Sequence, residues 1–424
     1  MINRIEQPPV QLIKSLTLPE VKEFKLDNGV PVHTINAGEQ DVVKIELIFK
    51  AGKWYETENL VADFANRMLR EGTKNHSAKQ LADKFDYYGA NINYGAAFET
   101  AGASLYSLTN LTDQLLPLFY ELFTEPVFPE NELATIVSNR KQRLAVDMQK
   151  NDFLANRHFV QALYGQSHPY GRVTEPEHLD QLSSANLSAY FKQYYHPGNL
   201  NILISGKFDD TLIKQINTLF GSKLWAAQTL NPSPSHSIES SSQFVQHTEK
   251  ADSVQSAVVL GNLSINKLHP DFLKLSILNT VFGGYFGSRL MSNIREEKGY
   301  TYGIHSSLVS YPHSGFLEIS TEVGKEVRQA TLDEIQAEIN LLRTELIDEE
   351  ELQTVKNYLS GKILRSIDGP LKYADTIKSL ITYVQTTDYI HDFLRTIHEV
   401  EAEELRDLAF KYLDFDRMYK VTVG

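Results

Sequence analysis

Cysteine is absent from the 424 residues. That excludes disulfides, cysteine-ligated zinc and a thiol nucleophile, and it says little about compartment. No apolar run is long enough to span a bilayer, and the opening MINRIEQPPVQLIKSLTLP lacks the apolar core of a secretory leader. The expectation is a cytoplasmic protein with no membrane partner, or a periplasmic one whose leader has been removed. Cations are in the minority: Lys+Arg 41 against Asp+Glu 54, for a net charge of −13. A phosphate-binding surface, and hence a nucleic-acid partner, is therefore not expected. The G-x-S-x-G elbow and the GxxxxGK[ST] loop are also missing, which leaves serine hydrolysis and P-loop chemistry without support.

What is present suffices for more than one core, since 42% of the chain is hydrophobic. After a tail to Pro19, read as an extended arm with Pro8 and Pro9, FKLDNGVPVHTI (Phe24–Ile35) predicts a hairpin around Asp27-Asn28-Gly29. Strand Val42–Lys50, helices Asn59–Arg70 and Ala78–Tyr88, and two strands within Ile92–Ser107 follow. Helices Leu111–Phe123, Pro129–Met148, Asn151–Tyr164 and Ser184–Tyr194 lead to the buried strand Asn201–Gly206 and a helix to Phe220. Residues 226–243, AAQTLNPSPSHSIESSSQ, read as a Pro/Ser-rich linker. Order then restarts with strand Ala257–Gly261 and helix Asp271–Phe282, and ends in helices Arg328–Leu346 and Glu349–Ile363. PENELATI (Pro129–Ile136) lines up with DEEELQTV (Asp348–Val355), and Gly89 with Gly299, which fits an internal duplication. Each half mixes helices with mostly antiparallel strands, so the expected class is α+β. The expected domains are residues 1–225 and 244–424, joined by 226–243.

The clearest chemistry lies in FGGYFGSRLMSNIREEKGYTYGIHSS, Phe282–Ser307. Gly283, Gly284 and Gly287 allow close backbone approaches. Leu290, Met291 and Ile294 give the next helix an apolar side, Arg295 sits near its C-terminal end, and Gly299 stops it. A strand is then predicted from Tyr300-Thr301-Tyr302. An Arg and a Tyr aimed the same way can hold a carboxylate or a polarised carbonyl oxygen. The bland reading of both is a helix-end charge and a half-buried strand tyrosine.

The pattern FGGxFxSRLxxxIREExGxxY resembles the second-half motif of the M16 (pitrilysin or insulinase-like) zinc peptidases. So do the hairpin DNGV, HPYGR (His168–Arg172) and YYHPGNLNILISGKF (Tyr194–Phe208), and the resemblance covers nearly the whole chain. It implies two similar domains facing each other like a clam shell, with Arg295 and Tyr302 reaching the substrate. It also implies His-x-x-Glu-His on a first-half helix, where the two His bind zinc and the Glu activates water. The matching text here is DFANRMLREGT, Asp63–Thr73. Asp63 and Arg67 occupy the ligand positions, Asn66 the base, and the third ligand falls near Arg143. Guanidinium cannot ligate a cation and an amide is no useful base. No metal or other cofactor is therefore expected in this chain. Asp63 and Arg67, at i and i+4, suit an ion pair, which Arg143 could join. His305 and His313, and the scattered His76, His158, His168, His178 and His196, read as surface or capping residues.

The resemblance is closest to the non-metal subunit of a heterodimeric peptidase of the M16B type. The chain would then supply Arg295 and Tyr302 to a zinc-bearing homologue and be inactive alone; a homodimer is the other pairing. A peptide partner is expected to add to the edge strand Ala90–Phe98 through Asn91, Asn93 and Gly95. Two further readings are a non-enzymatic peptide-binding scaffold and, far behind, an independently active metallopeptidase.

Overall fold

The structure is a computed structural model that describes residue 13, residues 15–222, residue 225 and residues 233–424. Two sheets organise it. The first contains β1 (Lys22–Lys25), β2 (Pro31–Asn36), β3 (Val42–Phe49), β4 (Asn91–Ala96), β5 (Ala101–Leu108) and β6 (Leu200–Gly206), in the order β1-β2-β6-β3-β5-β4. The second contains β7 (Val245–Thr248), β8 (Gln255–Ser264), β9 (Ile304–Tyr311), β10 (Ser314–Gly324) and β11 (Tyr419–Val423), in the order β7-β11-β8-β10-β9. Each sheet is mixed, with a single parallel pair, β2 with β6 and β7 with β11. Apart from β1 the two strand orders coincide: β2, β6, β3, β5 and β4 correspond to β7, β11, β8, β10 and β9. Both β4 and β9 are edges, and each follows a left-handed glycine, Gly89 at φ 62° and Gly299 at φ 65°. The duplicated phrase opens equivalent helices, Glu130–Asp147 and Glu349–Ser366. The molecule is α+β.

Local chemistry accounts for several element ends. Gly29, at φ 90°, closes the β1–β2 turn, where its N–H donates to Leu26 O at 2.8 Å. Ser77 and Gln80 form a reciprocal capping box on the helix Ala78–Tyr87. β3 is buried along nearly its whole length, as a strand covered on both faces must be.

The halves are locked by exchanged helices. Asn151–Tyr164 lies on the second sheet, where Ala155, Phe159, Ala162 and Leu163 share a core with Ala257, Val259 and Val421. Reciprocally, Pro370–Tyr383 lies on the first sheet, where Tyr373, Ala374 and Ile377 pack in one cluster with Ile35, Ile48 and Leu203. A charged chain reinforces the second contact. Lys44 on β3 is buried and bonds Glu46 at 2.7 Å and Asp375 at 2.8 Å, while Lys378 reaches Glu46 at 3.1 Å. Removing Lys44 or Glu46 would leave the other charge short of its buried partner, a loss of up to about 3–5 kcal/mol, whereas Asp375 and Lys378 are exposed and contribute less.

Three sequence expectations change. The helix from Asp271 keeps α geometry only over Phe272–Asn279, then widens to a π turn over Thr280–Gly284. β9 starts at Ile304, so Tyr302 stands on the preceding loop rather than in a strand. Of the expected linker, residues 226–232 lie outside the described residues, as do Pro8 and Pro9 of the arm, but the remainder is pinned. Glu239 N–H donates to Tyr164 O at 3.2 Å and Ser241 N–H to Ala162 O at 2.8 Å. Its serines serve as hydrogen-bond partners, which composition cannot distinguish from solvated ones. Helices Pro370–Tyr383, Asp388–Glu399 and Ala402–Tyr412 and the central strand β11 complete the fold.

Candidate functional site

The helix Val61–Arg67 brings Asp63, Asn66 and Arg67 to the first sheet beside β4 and β5. Arg67 Nε donates to Asp63 Oδ2 at 2.9 Å, with both side chains partly exposed. Asn66 points the other way and is buried. Its Nδ2 donates to Gly102 O at 3.0 Å and to the Tyr195 hydroxyl at 3.2 Å. The amide therefore ties the helix to β5. Arg143 does not join the pair: it is mostly exposed and lies 3.8 Å from Asp147, one turn along its own helix.

A zinc site needs several lone-pair donors converging on one point. Here one candidate is a carboxylate already bonded to a guanidinium, and the buried amide spends its N–H donors on protein oxygens. Among the described residues no three His, Asp or Glu side chains form a group able to hold a metal ion. These residues do not fit the metal that the M16 pattern implies.

The second constellation is built on the glycine-rich stretch. A Cβ on Gly283 would lie 2.5 Å from the Ser306 Cβ, so glycine lets this turn rest directly on β9. Arg289 forms a bidentate pair with Glu351, at 2.9 and 2.7 Å, and Asn293 Nδ2 reaches Glu334 at 3.0 Å and Glu338 at 2.8 Å. Arg289, just before the π-wound segment Met291–Glu297, and Asn293 within it hold this stretch to neighbouring helices, and π turns recur at functional sites. Arg295 is left free of that anchoring role. Its guanidinium lies 4.7 Å over the Phe286 ring, Nε donates to the Tyr302 backbone carbonyl at 3.1 Å, and Glu296 is 3.5 Å away. Tyr302 is 94% exposed, and its hydroxyl has no partner among the described residues. The half-buried strand reading of Tyr302 is thus replaced by a presented phenol. Phe286, itself exposed, is the residue that sequence reasoning missed; its signal was the second phenylalanine in FGGYF.

The structure does not bring the two constellations together. Among the described residues no hydrogen bond or ion pair links Arg295 or Tyr302 to Asp63, Asn66 or Arg67. Asn91, Asn93 and Gly95 do share one element, the free-edged β4, whose residues alternate between exposed and half-buried. A groove of about 310 Å³ runs along it, lined by Asn93, Gly95, Ala97 and Thr100 and, from the second half, Lys378.

Two of the histidines expected at the surface or in caps belong to one cluster, together with His236. His168 of HPYGR, His236 and His313 surround Trp54, with ring centroids 5.6, 4.6 and 3.9 Å from the indole. His236 Nε2 donates to Trp54 O at 2.9 Å, and the Tyr170 N–H donates to His168 Nδ1 at 3.1 Å. Tyr170 stacks on Tyr311 and donates to Glu99 at 2.5 Å. Both halves and the intervening segment meet here. Burial pushes His168 down from 6.5 to about 4, with His236, His313 and Arg172 adding to the effect. The unfolded chain therefore binds this proton more readily than the folded one. The contribution of His168 to stability is complete above pH 6.5 and is lost as pH drops from about 6.5 towards about 4. Glu56, pushed up to about 7 by burial, titrates with the opposite sign in that window, so urea titrations are compared with those of His168→Gln. The chain is expected to lose stability relative to the variant as pH falls, and a pH-independent difference would remove His168 as the cause.

Comparison with known proteins agrees with this architecture. The family model for insulinase (peptidase family M16) matches residues 32–174, and that for the peptidase M16 inactive domain matches 181–359. The chain belongs to peptidase family M16. It is 26% identical over 353 residues to a Bacillus subtilis protein named uncharacterized zinc protease YmxG, covering 82% of this chain and 85% of that one. It is 25% identical over 405 residues to a Helicobacter pylori protein named non-peptidase homolog YmxG, covering 86% and 87%. A solved structure from Pseudomonas fluorescens, described as a peptidase M16 inactive domain, superposes with TM-score 0.86 at 27% identity, covering 95% of this chain and 98% of that one. A Helicobacter pylori protease shares the fold with TM-score 0.86 at 16% identity, covering 96% and 100%.

Proposed function

We propose that this chain is the non-metal subunit of a two-chain M16 endopeptidase, supplying Arg295, Tyr302 and peptide-binding surface to a zinc-bearing homologue. The observation that carries this reading is the presentation of Tyr302. Its phenol has no hydrogen-bond partner among the described residues, yet its backbone is held by Arg295, which in turn is braced on Phe286. A donor preset before substrate arrives can stabilise a developing oxyanion without reorganising. The residues at the first-half motif serve packing and surface charge, which accords with chemistry being completed elsewhere. A cytoplasmic location goes with this proposal.

The test is to purify the chain alone and then mix it with a zinc-bearing M16 homologue from the same cell. Alone it is expected to hold no stoichiometric zinc and to cleave nothing. Mixed, the two chains should co-elute and cleave peptides, and a chelator should abolish the activity. Zinc and chelator-sensitive cleavage in the isolated chain would overturn the reading.

A second reading, a non-enzymatic peptide-binding module, is favoured by the open edge of β4. Strand addition satisfies backbone groups that an edge leaves free. An unstructured basic peptide is expected to slow hydrogen exchange at Asn91, Asn93 and Gly95. Unchanged exchange there would rule out the edge as its seat.

A further inference from the structure

A second cavity lies in the helical layer of the other half, with a volume of about 440 Å³, within the range of small-molecule sites. Its walls come from the helices Phe272–Asn279, Glu349–Ser366, Pro370–Tyr383 and Asp388–Glu399 and from β9. Phe272, Leu308, Leu359 and Phe393 supply an apolar wall beside Ser and Thr hydroxyls, while Lys267 and Lys362 both line it and no Asp or Glu does. That sign is unexpected in a chain of net charge −13.

Lys267 is the informative residue. The interior Lys44 has two carboxylate partners, and Lys274 is paired with Glu404. Lys267 has none among the described residues. Its Nζ bonds only the Ser379 hydroxyl, at 3.1 Å, and lies 5.1 Å over the Tyr383 ring. Burial lowers its pKa, the mark of an ammonium withdrawn from water without a compensating anion. A cation so placed gains most from an anion that enters the same cavity.

We infer that this cavity binds a small monocarboxylate with an apolar tail, the carboxylate seated on Lys267 and Lys362 and the tail among Phe272, Leu359 and Phe393. The site is independent of the Arg295/Tyr302 constellation, and so is its test.

The experiment is isothermal titration of the full chain with octanoate, and with octanol and octylamine as controls for the tail and for charge. Octanoate should bind once per chain, and octanol and octylamine at least about tenfold more weakly, as loss of a charged hydrogen bond implies. Lys267→Met, which keeps the length and removes the charge, should weaken octanoate by a similar factor. Should Lys267→Met fold poorly, Lys362→Gln at the exposed rim provides the same reading with a smaller loss. Absence of octanoate binding, equal binding of all three probes, or octanoate affinity unchanged in both variants would overturn the inference.

Discussion

Tyr302→Phe, assayed in a mixture of this chain with a zinc-bearing M16 homologue, is expected to lower the turnover of a peptide substrate by about 10²–10³-fold. That is the usual cost of removing one preset donor to an oxyanion. The change deletes a single hydroxyl from a side chain that is 94% exposed, so folding should be untouched, and co-elution with the partner checks that assembly is too. KM should move little, because a donor used only in the transition state lowers the rate constant and not ground-state binding. Arg295→Ala should give a loss in the same direction, since it releases the Tyr302 carbonyl from its 3.1 Å bond and leaves Phe286 uncovered. Arg295→Lys retains charge but not the planar fork that reaches a carbonyl while stacking on a ring, so it should rescue only part of the rate. If Tyr302→Phe and Arg295→Ala both leave the mixture at full activity, the subunit proposal fails. The peptide-binding reading is then the one left standing.

The second large effect concerns stability, and it separates residues that a motif would group together. Asn66→Ala should destabilise the chain by about 2–4 kcal/mol, since it opens a cavity and leaves the Gly102 carbonyl and the Tyr195 hydroxyl short of a donor. Asp63→Ala or Arg67→Ala should cost less than about 1 kcal/mol, because their ion pair is partly exposed and screened. Urea unfolding of the three variants measures this directly. Equal costs at all three positions would mean that the Asn66 bonds do not hold the helix to β5. The same geometry predicts that Asn66→Glu, the single step back towards the His-x-x-Glu-His pattern, unfolds the chain more readily than Asn66→Ala. It would place a carboxylate against a carbonyl oxygen, in a buried position.

Much of the architecture was legible because it rests on periodicity and punctuation. The helices Asn151–Tyr164 and Ser184–Tyr194 begin and end where apolar spacing places them. Left-handed Gly89 and Gly299 stop helices at equivalent points, so the duplication seen in two short phrases reappears as two matching strand orders. The stretch around Arg295 was harder to read. Its apolar positions suit an ordinary helix, and nothing local announces that the winding widens to π or that the next strand waits until Ile304. Those features depend on anchors from distant helices, Glu351 to Arg289 and Glu334 and Glu338 to Asn293.

The histidines teach the same lesson. His168, His236 and His313 are far apart in the chain and sit in three differently composed segments, and only the packing of both halves on Trp54 unites them. The helix exchange between halves is likewise invisible to a window of residues. Asn151–Tyr164 is apolar on the side that meets β8 and β11, but periodicity says that a face is buried and never against what.

By itself the sequence determined which chemistry this chain can hold. A guanidinium cannot ligate a cation and an amide is no useful general base, and no folding of the chain changes either. Tertiary structure alone decided which of the remaining side chains are free to act. Exposure, pairing and orientation are set by contacts between residues remote in the chain, and these bury Asn66 as a brace, seat Arg295 on Phe286 and leave the hydroxyl of Tyr302 turned outward.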